Sequence, residues 1–161
     1  MPLIRDIAPA DYPMVEELLY LTDLEVVGSY DPGGLDVIVA ELQGRLVGVA
    51  EFELHLDFGH DEGRETNPGE QTFIQTVAVT PTDRRSGVGR ALLAEVARRA
   101  QEAGDTFLAL VPQGGAKEAG RQAFFQACGL TLHGPAGPGA AWDCPVSEIL
   151  AVKDTADAAG E

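Results

Sequence analysis

One stretch near the middle of the chain constrains its fold and its chemistry more than any other. Residues 77–93 read VAVTPTDRRSGVGRALL: a β-branched run, a proline-containing turn, two glycines and the start of an apolar helix. Glycines let the backbone of such a turn expose its N–H groups, and the first N–H groups of a helix have no intrahelical partner. Because the positive end of the helix dipole lies there too, this strand, turn and helix predict a phosphate or pyrophosphate site.

The distribution of charge supports an anion at this turn. The formal net charge is −15, yet five of the eleven lysines and arginines lie between residues 84 and 99, where Glu95 is the only acidic residue. A strongly acidic chain repels the phosphate backbones of nucleic acids, so neither DNA nor RNA is expected as a partner. The same acidity is compatible with a cationic substrate such as an amine, or with solubility alone.

Length and composition indicate an ordinary globular chain. Its 161 residues are 45% hydrophobic and 23% charged, and we expect one domain over 1–152 with a flexible tail over 153–161. No apolar run is long enough to cross a membrane, and the first residues lack the apolar core of a signal peptide. A cytoplasmic protein without membrane contact is therefore expected. Cys128 and Cys144 are expected to be reduced and buried, and no metal is predicted because zinc-site spacing is absent.

The order of the predicted elements indicates a mixed α/β sheet. Alternating or wholly apolar runs predict strands, and apolar residues at helical spacing predict helices. The predicted strands cover residues 3–7, 36–41, 45–54, 72–79, 107–111, 130–133 and 140–146, and the predicted helices cover 10–21, 86–103 and 116–128. We expect a central sheet of about six to seven strands flanked by helices. Gly48, inside the third strand, predicts a bulge or a close approach of another backbone.

Known nucleotide fingerprints do not fit the glycine-rich turn. Gly87-Val88-Gly89 could begin the dinucleotide motif G-x-G-x-x-G, but Leu92 occupies the third glycine position. No Gly-Lys-Ser or Gly-Lys-Thr sequence occurs, so the P-loop pattern is absent as well. A nucleotide-binding protein is therefore the least supported function.

The turn does match the pattern R-x-x-G-x-G, as residues 84–89, preceded by Val-Ala-Val-Thr-Pro at residues 77–81. In this motif, and in the order of its elements, the chain resembles the GNAT superfamily of CoA-dependent N-acyltransferases. The resemblance implies that the pyrophosphate of acetyl-CoA lies on backbone N–H groups of the turn and that the strand end pairs with the pantetheine arm. The cofactor-binding residues that it implies are Val77, Ala78, Val79, Arg84, Arg85, Ser86, Gly87, Val88, Gly89 and Arg90.

Acyl transfer to an amine also needs a general base. Some members of the family carry a glutamate on the motif strand where this chain has Phe73. The remaining candidates are Glu51 and Glu53 on the long third strand, Glu70 before the motif strand, and His55. Strand alternation places Glu51 and Glu53 on the face shared by Val49 and His55. A solvated sheet face is an equally good interpretation of the two glutamates.

The family's general acid is missing from its usual position. Many members carry a tyrosine in the late helix that protonates the leaving thiolate, and an asparagine earlier in that helix. Phe125 and Glu118 stand at these positions, and a phenylalanine cannot donate a proton. Two functions follow: an N-acetyltransferase that moves acetyl from acetyl-CoA to a primary amine in a ternary complex, or a non-catalytic regulatory module that binds CoA or acyl-CoA.

Two loops carry further candidates. Tyr30 lies in a Gly/Pro-containing loop, either as a surface tyrosine or as a ligand contact. The acidic segment 57–70 suggests a cationic amine, polyamine or peptide N-terminus as acceptor. His55, Asp57, His60 and Asp61 could be grouped around a metal, but neither their spacing nor a rigid element supports one. The resemblance is also compatible with a homodimer.

Overall fold

The structure is a computed structural model that describes residues 2–21, 29–56, 69–83, 87–110, 124–133 and 141–150. The strands are β1 (Leu3–Asp6), β2 (Asp36–Leu42), β3 (Arg45–Glu53), β4 (Gln71–Val79), β5 (Phe107–Leu110), β6 (Thr131–His133) and β7 (Ala141–Pro145). The helices are α1 (Tyr12–Leu21) and α2 (Val88–Glu102), with residues 124–127 and 146–150 also helical. The helical turn at 146–150 was not predicted, whereas every predicted strand has a counterpart.

The strands follow the order β1-β2-β3-β4-β5-β7-β6 in a seven-stranded sheet. β1 and β3 pair antiparallel with β2, and β7 pairs antiparallel with both β5 and β6. β4 and β5 are parallel, and α2 supplies the crossover connection that a parallel pair needs. The predicted mixed sheet with flanking helices is therefore confirmed. Among the described residues, no helix has the length and apolarity needed to cross a membrane.

Contacts divide the chain into two compact units. The first contains Met1–Phe52 and Thr76–Val96, and the second contains Glu53–Gln75 and Ala97–Glu161. The single domain over 1–152 stays a prediction, and the predicted tail over 153–161 lies outside the described residues.

In the first unit, α1 covers one face of the sheet. Its buried residues Val15, Leu18 and Leu19 recur at helical spacing and pack against valines of β2 and β3. Pro13 is accommodated because it lies in the first turn of the helix, where its missing N–H costs no hydrogen bond. The β-strand valines in this cluster are Val37, Val39 and Val49.

The opposite face of β3 lies against α2 at Gly48. A Cβ atom built on this glycine would lie 2.8 Å from Cγ1 of Val88 and 3.0 Å from Cδ1 of Leu92. The pairing of β2 with β3 also shifts register between Ala40 and Glu41, and Ala40 is the partner of Gly48. The bulge predicted at Gly48 is thus confirmed, and the close approach comes from helix side chains and not from another backbone.

In the second unit, β5 is buried along its whole length and pairs with β4 and β7. Cys128 and Cys144 are free and buried, as predicted. Burial, followed by the charge of Glu148, raises the pKa of the Cys144 thiol to about 12. This thiol therefore stays protonated at neutral pH and behaves as a small core residue rather than as a nucleophile.

Replacing Gly48 with alanine tests the close contact with α2. The added methyl group would overlap the buried side chains of Val88 and Leu92, so we expect Gly48→Ala to lower the free energy of unfolding by about 1–3 kcal/mol. Gly34→Ala is the matched control, since its Cβ would meet nothing within 4 Å. Urea unfolding of the two variants is the measurement, and equal midpoints would contradict the packing argument.

Candidate functional site

The turn that follows β4 is held by hydrogen bonds of its own residues. The N–H of Thr80 donates to the carbonyl of Val47 at 2.9 Å, which ends β4 against β3. The carboxylate of Asp83 then accepts from the hydroxyls of Thr80 at 2.5 Å and Thr82 at 3.2 Å. The Thr80 hydroxyl is the main reason that the pKa of Asp83 lies below its usual value. The reversal after β4 is therefore built by Thr80 and Asp83, which the sequence analysis did not identify.

Gly87 directly precedes α2. Its φ of +85° is strained for any residue with a Cβ, and no described residue has an atom within 4 Å of where that Cβ would lie. The carbonyl of Gly87 accepts the first helical bond, from the N–H of Ala91 at 3.0 Å. The N–H groups of Val88, Gly89 and Arg90 therefore lie in the first turn, where a helix offers them no acceptor.

The predicted cofactor residues that the structure describes all belong to the first unit. Val77 and Val79 are half-buried at the end of β4, and Ala78 is buried in the cluster that α1 covers. Val88 is 1% exposed, so its side chain belongs to the core while its N–H lies at the start of the helix. Arg84, Arg85 and Ser86 lie outside the described residues, and their part in the site stays a prediction.

The three candidate bases have different environments. Glu51 is 8% exposed, and one of its oxygens, Oε2, accepts a hydrogen bond of 2.9 Å from the hydroxyl of Tyr30. Glu53 is half-buried at the end of β3, and Glu70 is exposed directly before β4. Glu51 belongs to the first unit, whereas Glu53 and Glu70 belong to the second. A solvated sheet face is thus the wrong interpretation for Glu51.

The predicted strand alternation holds for Glu51 and fails for His55. Glu51 pairs with Val37 across the β2–β3 ladder. It lies on the same face of β3 as Val49, because Tyr30 both packs in the apolar cluster with Val49 and donates to the Glu51 carboxylate. His55 has a φ of +61°, so the chain has left the strand conformation before it reaches this residue. Its side chain is consequently directed by a turn and not by the pleat of β3.

Tyr30 is a buried residue and not a surface tyrosine. It is 6% exposed, and its ring contacts that of Tyr12 edge-on, with centroids 5.6 Å apart and an interplanar angle of 73°. Its backbone N–H donates to Oε2 of Glu16 at 3.3 Å. Burial first, and then the negative charge of Glu51, raise the pKa of the Tyr30 hydroxyl far above its usual value. The phenol is therefore a permanent donor to the carboxylate at neutral pH.

A second polar cluster lies in the second unit around Asp105, which is 2% exposed. Its Oδ1 lies 2.5 Å from Nδ1 of His55, and its Oδ2 accepts from the Thr72 hydroxyl at 2.5 Å and from the His55 backbone N–H at 2.9 Å. Glu70 Oε2 lies 3.1 Å from the same imidazole nitrogen. Asp105 was not predicted as a site residue, and its signal was an acidic residue two positions before a wholly apolar strand.

The imidazole and the two carboxylates of this cluster could hold a cation, because one donor atom from each lies within 4.8 Å of the others. Asp105 is already fixed by Thr72 and by the backbone of His55, so the same geometry serves as a structural tie within the second unit, between the turn that contains His55 and the segment before β5. The absence of a metal stays a prediction. Asp57, His60 and Asp61 lie outside the described residues.

Asp105→Asn tests the structural role of this cluster. An amide cannot accept from all of the donors that now meet the carboxylate, so we expect the free energy of unfolding to fall by about 1–3 kcal/mol. Glu70→Gln is the matched control at the same imidazole, and its side chain is 69% exposed. We expect it to change stability by less than about 1 kcal/mol. Equal losses for the two variants would contradict a burial-dependent tie.

Comparisons with known proteins agree with the geometry. A family model described as "Acetyltransferase (GNAT) family" matches residues 1–130. No curated protein matches in sequence. A crystal structure of a putative GNAT acetyltransferase from Desulfovibrio desulfuricans aligns at a TM-score of 0.67 and 20% identity, covering 91% of this chain and 99% of that one.

Two further solved structures are similar over the same share of the chain. The ribosomal-protein-S18-alanine N-acetyltransferase of Escherichia coli aligns at a TM-score of 0.64 and 18% identity, covering 91% of this chain and 94% of its own. The putative acetyltransferase yncA of Salmonella typhimurium, solved with its cofactor acetyl-CoA, aligns at a TM-score of 0.63 and 17% identity. The alignment covers 91% of this chain and 94% of that one. These likenesses show the fold. The family model covers most of the sequence, and the chain therefore belongs to the GNAT family and is an acyltransferase.

Proposed function

We propose that the protein transfers an acetyl group from acetyl-CoA to a primary amine by direct attack in a ternary complex. One observation carries the cofactor half of this proposal: the backbone conformation of Gly87, directly before α2. Gly87 has a φ of +85°, and no described residue has an atom within 4 Å of where its Cβ would lie, so an anion can approach the backbone there. A similar protein from Salmonella typhimurium binds acetyl-CoA, which supports the choice of anion.

The pyrophosphate of acetyl-CoA lies, in this proposal, on the N–H groups of residues 85–90. The helix dipole of α2 and the charge of Arg84, Arg85 and Arg90 strengthen the attraction. The backbone of Val77–Val79 pairs with the pantetheine arm, and an N–H of this strand end polarises the thioester carbonyl. A primary amine is the acceptor, and the net charge of −15 favours a cationic one.

Glu51 is the general base in this proposal. It takes a proton from the amine, directly or through a water, while the nitrogen attacks the carbonyl carbon of the thioester. The N–C bond forms, the C–S bond breaks, and CoA leaves as a thiolate that solvent protonates. Glu51 ranks above Glu70 because a buried carboxylate acts in a low dielectric, whereas the side chain of Glu70 is 69% exposed. Glu53 is the second candidate.

A non-catalytic module that binds CoA or acyl-CoA is the second candidate function. Its support is Phe125, which is 8% exposed and packs beside Trp142 with ring centroids 6.0 Å apart. A buried aromatic ring at the family's usual acid position is a core residue without a proton to donate. The cytoplasmic location and the homodimer also stay predictions.

Gly87→Ala tests the cofactor site. An alanine at this φ is strained by about 1–2 kcal/mol and places a methyl group where the anion approaches, so we expect acetyl-CoA affinity to fall at least tenfold. Gly44→Ala is the matched control, because Gly44 has a φ of +76° and equally open space but lies in the β2–β3 turn. Both variants should lose stability, and only Gly87→Ala should lose affinity in calorimetric titration. Equal affinities would contradict the site.

Turnover tests the enzyme against the binding module. Wild-type protein with acetyl-CoA and a panel of primary amines should release free CoA, detected with a thiol reagent. Glu51→Gln should lower kcat/KM by about 100-fold or more, since general base catalysis contributes on this scale, while acetyl-CoA still binds. Glu53→Gln and Glu70→Gln are the matched comparisons and should stay close to wild type. Acetyl-CoA binding without CoA release for any amine would favour the binding module.

A further inference from the structure

The pair formed by Tyr30 and Glu51 lies beside apolar side chains. Tyr30 packs in a buried cluster with Val15, Leu18 and Val49, all 2% exposed or less. Moving a carboxylate into such surroundings is costly, and an apolar pair of similar volume would often stabilise the fold equally well or better. A stability role alone does not explain why this position of β3 carries a glutamate.

Tyr30 is held by three contacts. Its ring packs edge-on against Tyr12, its backbone N–H donates to Glu16, and its hydroxyl donates to Glu51 at 2.9 Å. Since both ends of the residue are held, the hydroxyl has one direction in which to donate. Among the described residues, Tyr12, Glu16 and Asp31 are the other titratable groups near this phenol.

The hydrogen bond occupies one oxygen of the carboxylate and leaves the other unused. Tyr30 donates to Oε2 of Glu51, while Oε1 has no hydrogen-bond partner among the described residues. A carboxylate held at one oxygen cannot rotate freely, so its second oxygen keeps a fixed direction. This is the arrangement that a general base requires, because its accepting atom must lie within hydrogen-bond reach of the proton that it removes.

We propose that Tyr30 is a positioning residue that orients Glu51 for proton abstraction from the amine. The inference rests on the proposed function, in which Glu51 is the general base. Tyr30 takes no proton and gives none away during turnover. It acts by holding Oε2 of the carboxylate through the hydrogen bond of 2.9 Å.

Tyr30→Phe is the direct test, since it keeps the ring against Tyr12 and removes only the hydroxyl. We expect kcat to fall about tenfold through misplacement of the base, with the KM for acetyl-CoA unchanged. Tyr20→Phe is the matched control, since Tyr20 is 80% exposed, and it should match wild type in both kcat and KM.

A double-mutant cycle separates positioning from a packing effect. In a Glu51→Gln background, Tyr30→Phe should cause little further loss, because the group that it positions is already removed. Independent effects that multiply would overturn the proposal, as would an unchanged kcat in the single variant. Thermal unfolding and acetyl-CoA titration check that each variant is folded at the assay temperature. If Tyr30→Phe unfolds there, the cycle is measured at a lower temperature with the same outcomes.

The outcomes also separate this inference from the proposed function. If wild type releases no CoA with any amine, or if Glu51→Gln is fully active, the proposed function or its base fails. If wild type is active, Glu51→Gln is impaired and Tyr30→Phe is not, only the positioning role of Tyr30 fails.

Discussion

The position of α2 depends on the absence of a side chain at Gly48. Because this residue has no side chain, Val88 and Leu92 pack closely against β3. A Cβ added at this position would also lie 3.4 Å from the carbonyl oxygen of Ala78 on β4. Val88 is the first residue of the helix, so the same contact fixes where the helix begins relative to the end of β4. The position of the anion site that we propose is therefore set by core packing and not by the glycine-rich turn alone. A turn sequence can expose N–H groups, but packing decides where they point.

The two polar clusters show two ways in which a buried carboxylate is accommodated. Asp105 is surrounded by donors from a side chain, a backbone and an imidazole, so its hydrogen-bonding capacity is largely used within the fold. Glu51 has one described donor and lies beside an apolar cluster. A carboxylate whose capacity is used up is suited to structure, whereas one with an unused oxygen is suited to exchange a proton. This difference separates the base role proposed for Glu51 from the structural role of Asp105.

Local sequence signals predicted the elements well, and non-local contacts decided what the sequence analysis missed. The strand at 72–79, the turn and the following helix are encoded within a short window, and so is the special position of Gly48. The burial of Tyr30 depends on α1 and β3, and the partner of His55 lies at Asp105, far along the chain. Periodicity placed His55 on a face of β3 because it could not foresee that φ becomes positive at this residue. Arrangements of this kind are fixed by tertiary packing and leave little trace in local patterns.

The parallel pairing of β4 with β5 also has a consequence for how the chain reaches its native state. Gln71 pairs with Phe107, and all of α2 lies between them in sequence. Closing so long a loop costs chain entropy before any ladder bond is made, so this pairing belongs to the slow, non-local steps of folding. The hairpin of β2 and β3 has no such cost, because a two-residue turn joins its strands. The turn that we propose as the anion site lies inside the loop that closes late, and a ligand bound there would stabilise only chains in which α2 has already formed against the sheet.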